Sequence, residues 1–148
     1  MAKNRTVAFL HKDNPVKVLP KSTLKELFTG KITNWKEVSG GKDLQVVVIW
    51  GKGTPGQNAL WIKKVLDGAS VRKDALEAGD YYSIKKMVAA NPGAVGIDPI
   101  GLADDSDNIP ESPRVFSPVI MVTKGAPSPA VQKLIDYVKG PGKDFVLQ

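Results

Sequence analysis

Hydrophobic positions along the chain fall into blocks whose spacing alternates between strand-like and helix-like. Residues 6–10, Thr6-Val7-Ala8-Phe9-Leu10, make a short continuous apolar run, closed by the turn chemistry of His11-Lys12-Asp13-Asn14-Pro15. A helix is predicted to open after Pro20-Lys21-Ser22, with Thr23 and Glu26 at capping-box spacing, Leu24, Leu27 and Phe28 on one face, and Gly30 as its stop. Residues 31–38 read as a turn and a short helical piece that turns Ile32, Trp35 and Val38 inward.

After a loop at Ser39-Gly40-Gly41-Lys42-Asp43, residues 44–50 form a β-branched run of the kind found in strands buried on both faces. A glycine turn follows, then an apolar stripe of Ala59, Leu60, Ile62, Val65 and Leu66 at helical spacing, closed by Asp67-Gly68. Residues 71–78 and 84–90 are predicted as two further short helices, the second capped by Ser83. Asn91-Pro92-Gly93 turns the chain into a strand at 94–98, whose Gly96 marks a close approach by another group. A polar loop at 101–113, a long strand at 114–123 and an amphipathic helix at 128–139 complete the series. That helix carries Val131, Leu134, Ile135 and Val138 on one face. The tail, 140–148, is assigned one last helical turn with Phe145 and Val146 available to dock.

These elements predict one α/β unit, a short mixed sheet flanked by helices, without internal repeats or a low-complexity linker. At 148 residues with 42% hydrophobic positions the chain supports its own core. Its net charge of +6 is spread over scattered lysines with only three arginines, Arg5, Arg72 and Arg114, which favours a basic surface or attraction to anions over a nucleic-acid groove. The absence of cysteine excludes disulfides, thiolate catalysis and cysteine-bound metals. No apolar run reaches membrane-spanning length, and the first residues lack the apolar segment of a signal peptide.

Most candidate chemistry falls away on inspection. The single histidine, His11, has no partner in sequence and reads as a packing or surface residue, and Trp35 reads as core. Asp104-Asp105-Ser106-Asp107-Asn108 has alternate oxygen ligands but lacks the glycine and glutamate of a calcium loop, with Ile109 and Val115 in their places. It is therefore assigned as a solvated acidic loop. Nothing supports a nucleophile with its base, so no enzyme activity, metal or cofactor is assigned.

The glycine turn, Trp50-Gly51-Lys52-Gly53-Thr54-Pro55-Gly56-Gln57, is the one stretch with positive chemistry. It spells G-x-G-x-x-G, but a dinucleotide site needs a strand directly after the following helix, ending in an acid about 20 residues beyond the glycines. Asp74 and Glu77 fall in the predicted helix at 71–78 and the next predicted strand is at 94, so that reading is set aside. A helix start gathers unpaired amides and partial positive charge. With the Thr54 hydroxyl and Lys52 beside it, this one suits a small oxyanion; the alternative is a tight turn with no ligand.

The block Leu24-Lys25-Glu26-Leu27-Phe28-Thr29-Gly30-Lys31-Ile32-Thr33-Asn34-Trp35, supported in order by Asn14-Pro15-Val16, the glycine turn, residues 90–96 (Ala90-Asn91-Pro92-Gly93-Ala94-Val95-Gly96) and Val122-Thr123-Lys124-Gly125 with the helix after it, resembles the substrate-binding proteins of phosphate ABC transporters. These belong to the type II periplasmic binding protein class. The resemblance implies a non-enzymatic, extracytoplasmic solute-binding protein that takes phosphate or a similar oxyanion between two lobes and works with an ABC permease. It implies that this chain is the second lobe with the returning strand and final helices, and that Lys52, Gly53, Thr54, Gly56 and Gln57 face the ligand from one side, Lys52 as counter-charge. Trp50 and Lys52 stand near the family's arginine and serine, which leaves the identity of the anion open. The competing implication is a ligand-free interaction or sensor module of the same fold, pairing with another lobe or forming a homodimer through the truncated face.

Overall fold

The structure, a computed structural model, describes residues 3–118 and 120–146. Six strands form one mixed sheet: β1 (Lys3–His11), β2 (Val47–Gly51), β3 (Leu76–Ala78), β4 (Ala94–Pro99), β5 (Asp107–Asn108) and β6 (Val115–Pro118). Their order is β3-β2-β4-β1-β5, and β6 also pairs with β1. The helices are α1 (Lys21–Thr29), α2 (Pro55–Lys64), α3 (Tyr81–Ala90), α4 (Pro129–Lys139) and α5 (Lys143–Val146). The mixed sheet and its flanking helices agree with the predicted fold class.

Strands β2, β3 and β4 run parallel, with Gly51 opposite Ala78 and Val48 opposite Val95. Their carboxyl ends therefore share one edge, where α2 and α3 begin. β1 runs against this set, pairing Thr6–Pro99 through Leu10–Val95 with β4 on one side, and Lys3–Pro118 through Thr6–Val115 with β6 on the other.

One face of the sheet is covered by α1 and α2. There Phe28 lies between the rings of Trp50 and Trp61, with centroids 5.9 and 5.7 Å away. Trp35 closes the bottom of this core, its indole N–H donating to the Gly93 carbonyl at 2.9 Å. On the other face α3 sits over β4, and Gly96 makes the close approach possible: a Cβ there would meet Ile84 Cγ2 at 2.9 Å.

Several expectations are corrected. No helix forms at 71–78; instead the chain runs out to β3, because main-chain pairing of Leu76–Ala78 with Ile49–Gly51 outweighs a local helical preference. The capping box of Thr23 and Glu26 does not form, since α1 already starts behind Pro20 with no side-chain cap. The box lies instead at Asn34 and Glu37, around the 3-10 turn Trp35–Glu37. Asp80, not Ser83, caps α3. Of the strand predicted at 114–123 the described residues form one at Val115–Pro118, and the strand predicted at 44–50 starts later and ends one residue beyond, at Val47–Gly51.

The predicted apolar face of α4 exists, but no residue of that helix is buried; Leu134 and Tyr137 are more than half exposed. Phe145 is exposed as well, while the side chain of Val146, and Leu147 and Gln148, lie outside the described residues. No described helix is long and apolar enough to cross a membrane.

Candidate functional site

At the carboxyl edge of the parallel strands, a position where α/β sheets commonly bind ligands, the chain makes two strand-to-helix turns side by side. The β2–α2 turn is laced to the β3–α3 turn through the Lys52 amide, which donates to the Ala78 carbonyl at 2.7 Å. Gly53 then passes so close to Gly79 that a Cβ would stand 2.1 Å from its carbonyl oxygen. Only glycine fits there.

The two helix starts differ. At α3 the Asp80 carboxylate accepts from the Ser83 N–H and hydroxyl, both at 2.7 Å, and these bonds hold its pKa below the usual carboxylate range. That start therefore already holds its own anion. At α2 no side chain caps the first turn, and Pro55 contributes no N–H. The first intrahelical bond is Asn58 N–H to the Thr54 carbonyl, which leaves the amides of Gly56 and Gln57 as the unspent donors of that turn.

The predicted residues are thus brought together, in varied states. Lys52 Nζ lies 2.5 Å from Glu77 Oε2, both side chains well exposed. The Thr54 hydroxyl is buried and turned inward, donating to Asn58 Oδ1 at 3.1 Å, while Asn58 Nδ2 donates to the Gly51 carbonyl at 2.6 Å. Gly56 is open to solvent. The Gln57 side chain is buried: its Nε2 donates to the Ile97 carbonyl at 3.0 Å and its Oε1 accepts from the Thr6 hydroxyl at 3.2 Å.

Several polar residues here escaped the sequence reading. Glu77 reaches Lys52 only because β3 is a strand, and that strand follows α2 directly, contrary to the ground on which a dinucleotide site was set aside. The antiparallel β1 and the closed Gly53–Gly79 contact now separate this site from a dinucleotide fold. Asp80 could have been found from its spacing to Ser83. The acidic loop is not merely solvated. The Asp107 side chain is fully buried and accepts from Lys85 Nζ at 2.6 Å, and Asp104 meets the same ammonium at 2.9 Å. Burial opposes the Lys85 charge, but its bonds to Asp107 and Asp104 outweigh that and raise its pKa. The Ser106 hydroxyl first, and then the same ammonium, hold Asp104 well below the usual range.

Asp98, next to this group, is fully buried on β4, and neither carboxylate oxygen has a hydrogen-bond partner among the described residues. Burial, with Asp107 nearby, pushes its pKa up to about 8. Trp35 is a core residue as expected, and His11, expected in a packing or surface role, is buried, accepting from the Asp13 N–H at Nδ1. A cavity of about 270 Å³ lies under Ile109, Pro110 and Ser112 and touches none of the glycine-turn residues.

Comparison with known proteins gives this edge its context. Residues 1–108 match the family described as a PBP superfamily domain. The phosphate-binding protein PstS of Bacillus subtilis strain 168 is 33% identical over 147 aligned residues, covering 89% of this chain and 48% of the relative. Among solved structures, a Clostridium perfringens protein described as a putative phosphate ABC transporter substrate-binding protein, with bound phosphate, superposes with a TM-score of 0.84 at 24% identity. That match covers 98% of this chain and 66% of the other. An ABC-type phosphate transport receptor from Vibrio cholerae superposes at 0.71 and 22% identity, over 98% and 67%. The chain spans about half the length of the curated relative and about two thirds of these structures. With the family match extending over most of its residues and the same fold found throughout, the chain belongs to the PBP superfamily.

Proposed function

We propose that this chain binds a small oxyanion, phosphate first among the candidates, without catalysis, as one lobe of an extracytoplasmic solute-binding protein that serves an ABC permease. The observation that carries this reading is the open start of α2 beside the self-capped start of α3. Gly56 and Gln57 offer main-chain amides, Gly53 allows the turn its path, Thr54 sets the helix start, and Lys52 supplies charge when it leaves Glu77. Charge-assisted hydrogen bonds of this kind contribute about 1.5–3 kcal/mol each.

In the same reading the chain acts as a second lobe, with the segment after β6 returning to a first. The exposed Ile120, Met121, Val122, Leu134 and Tyr137 support it, since they present an apolar surface that this lobe does not cover. Calorimetric titration with phosphate and sulfate tests the site. Heat that is reduced in Thr54→Ala supports it, and heat unchanged by that substitution removes the turn from the site.

The exposed face of α4 also favours a second reading, a module that pairs with another lobe or with a second copy and needs no ligand. Self-association that rises with concentration, together with a melting temperature indifferent to phosphate, would select it.

A further inference from the structure

Gln57 occupies an unusual place for a residue in a first helical turn. Its main-chain N–H belongs to the open start of α2, while its side chain is buried and committed at both ends, to Ile97 of β4 and Thr6 of β1. Thr6 is the residue at which β1 changes partners: it stands opposite Pro99 of β4 on one side and Val115 of β6 on the other. From Thr6 back to Lys3, β1 and β6 form a two-stranded ribbon, and beyond β6 comes the segment that carries α4. α2 also lies against β6. Among the described residues, the Thr6–Gln57 bond is the one side-chain hydrogen bond joining α2 to β1.

We propose that Gln57 is a positioning residue, a strut that couples the donor turn of α2 to the setting of the β1–β6 ribbon. A change in the turn moves Gln57, and through its amide the hydroxyl of Thr6, the pivot of the ribbon. Buried polar groups without partners are costly, so the two ends favour keeping this bond as either one shifts. For what occupies the turn, the inference rests on the oxyanion reading; the strut itself does not.

The test compares amide hydrogen exchange in the wild type, Thr6→Val, Thr6→Ser and Gln57→Met. Valine keeps the β-branched shape and removes the hydroxyl, and serine restores it. Without ligand, Thr6→Val is expected to speed exchange at residues 58–61 of α2 about fivefold or more, leaving α1 unchanged, with Thr6→Ser close to wild type. Gln57→Met is expected to speed exchange in the ribbon, residues 3–6 and 115–118, to a similar extent. Exchange within about twofold of wild type at both places, or a uniform rise that includes α1, overturns the strut.

With inorganic phosphate added, the wild-type ribbon is expected to exchange more slowly while the Thr6→Val ribbon does not respond, although phosphate still gives heat with that variant. An equal ribbon response in both proteins overturns the coupling. No heat with any of the proteins sinks the oxyanion reading instead, and the ligand-free comparison then decides the strut on its own.

Discussion

Gly53 rests against the main chain of Gly79, with 2.1 Å between the place of a Cβ and the Gly79 carbonyl oxygen. The two strand-to-helix turns can lie side by side only because residue 53 has no side chain. Gly53→Ala is expected to push them apart, at a cost of about 1–3 kcal/mol in unfolding free energy, and to weaken phosphate binding. Urea unfolding and calorimetry on the same preparation check both effects. An alanine variant as stable as the wild type would show that the contact yields easily.

Lys52 and Glu77 form an exposed pair, and such pairs are worth about 0.2–1 kcal/mol. If Lys52 is the counter-charge for an oxyanion, Glu77 competes with the ligand for it. Glu77→Gln is then expected to tighten phosphate binding about two- to fivefold, and the gain should shrink as salt is added. Tighter binding that persists unchanged when Lys52 is also replaced by methionine would locate the effect elsewhere.

The buried Asp98 makes stability depend on pH. Its pKa in the folded protein is about 8, above the ordinary 3.8, so the folded state keeps a proton that the unfolded chain releases. The resulting stability is complete below about pH 4, falls as pH rises toward 8 by up to about 1.4 kcal/mol per unit, and is gone above it. Asp98→Asn is expected to flatten that slope. Thermal melts between pH 5 and pH 9 read the difference, and parallel curves for the two proteins would rule out Asp98 as its source.

Trp61 fills the centre of the α1–α2 face beside Phe28, yet its indole N–H has no partner among the described residues. Its contribution is therefore packing alone. Trp61→Ala is expected to cost about 3–5 kcal/mol, and Trp61→Phe, which removes no hydrogen bond, less than about half of that. Denaturant titration of the two variants separates volume from polarity; equal losses would mean that the N–H is satisfied in solution.

Leu134 and Tyr137 lie on the exposed apolar face of α4. Replacing both by lysine is expected to abolish any self-association without lowering the melting temperature, because neither side chain packs on the lobe. Sedimentation velocity over a range of concentrations checks this. A melting temperature that drops by several degrees would show that the face is covered within one molecule.

Local patterns carried most of what could be read in advance. The apolar runs around Phe9 and Val48, the left-handed stop at Gly30, the close approach at Gly96 and the turn centred on Gly53 each follow from a few neighbouring residues, and each stands in the structure. β3 was not legible, because its three residues are a strand only by pairing with Ile49–Gly51, some 27 positions earlier. Glu77 was lost with it. The inward turn of Thr54 and the burial of Gln57 depend on Asn58, Thr6 and Ile97 meeting in space. Asp98 sits at a position where strand alternation gives no sign that its oxygens will lack partners.

The central place of β1 also governs how the lobe is made. It is the first of the described strands, and among the described residues its partners, β4, β5 and β6, all come from residues 94–118. Such pairings close very long loops before they return any contact energy, which slows folding. During synthesis β1 therefore precedes these partners by nearly a hundred residues, an interval in which an apolar segment is open to chaperones and to mispairing. The β2–β3 pair closes a far shorter loop, so contact order favours its formation ahead of the capture of β1.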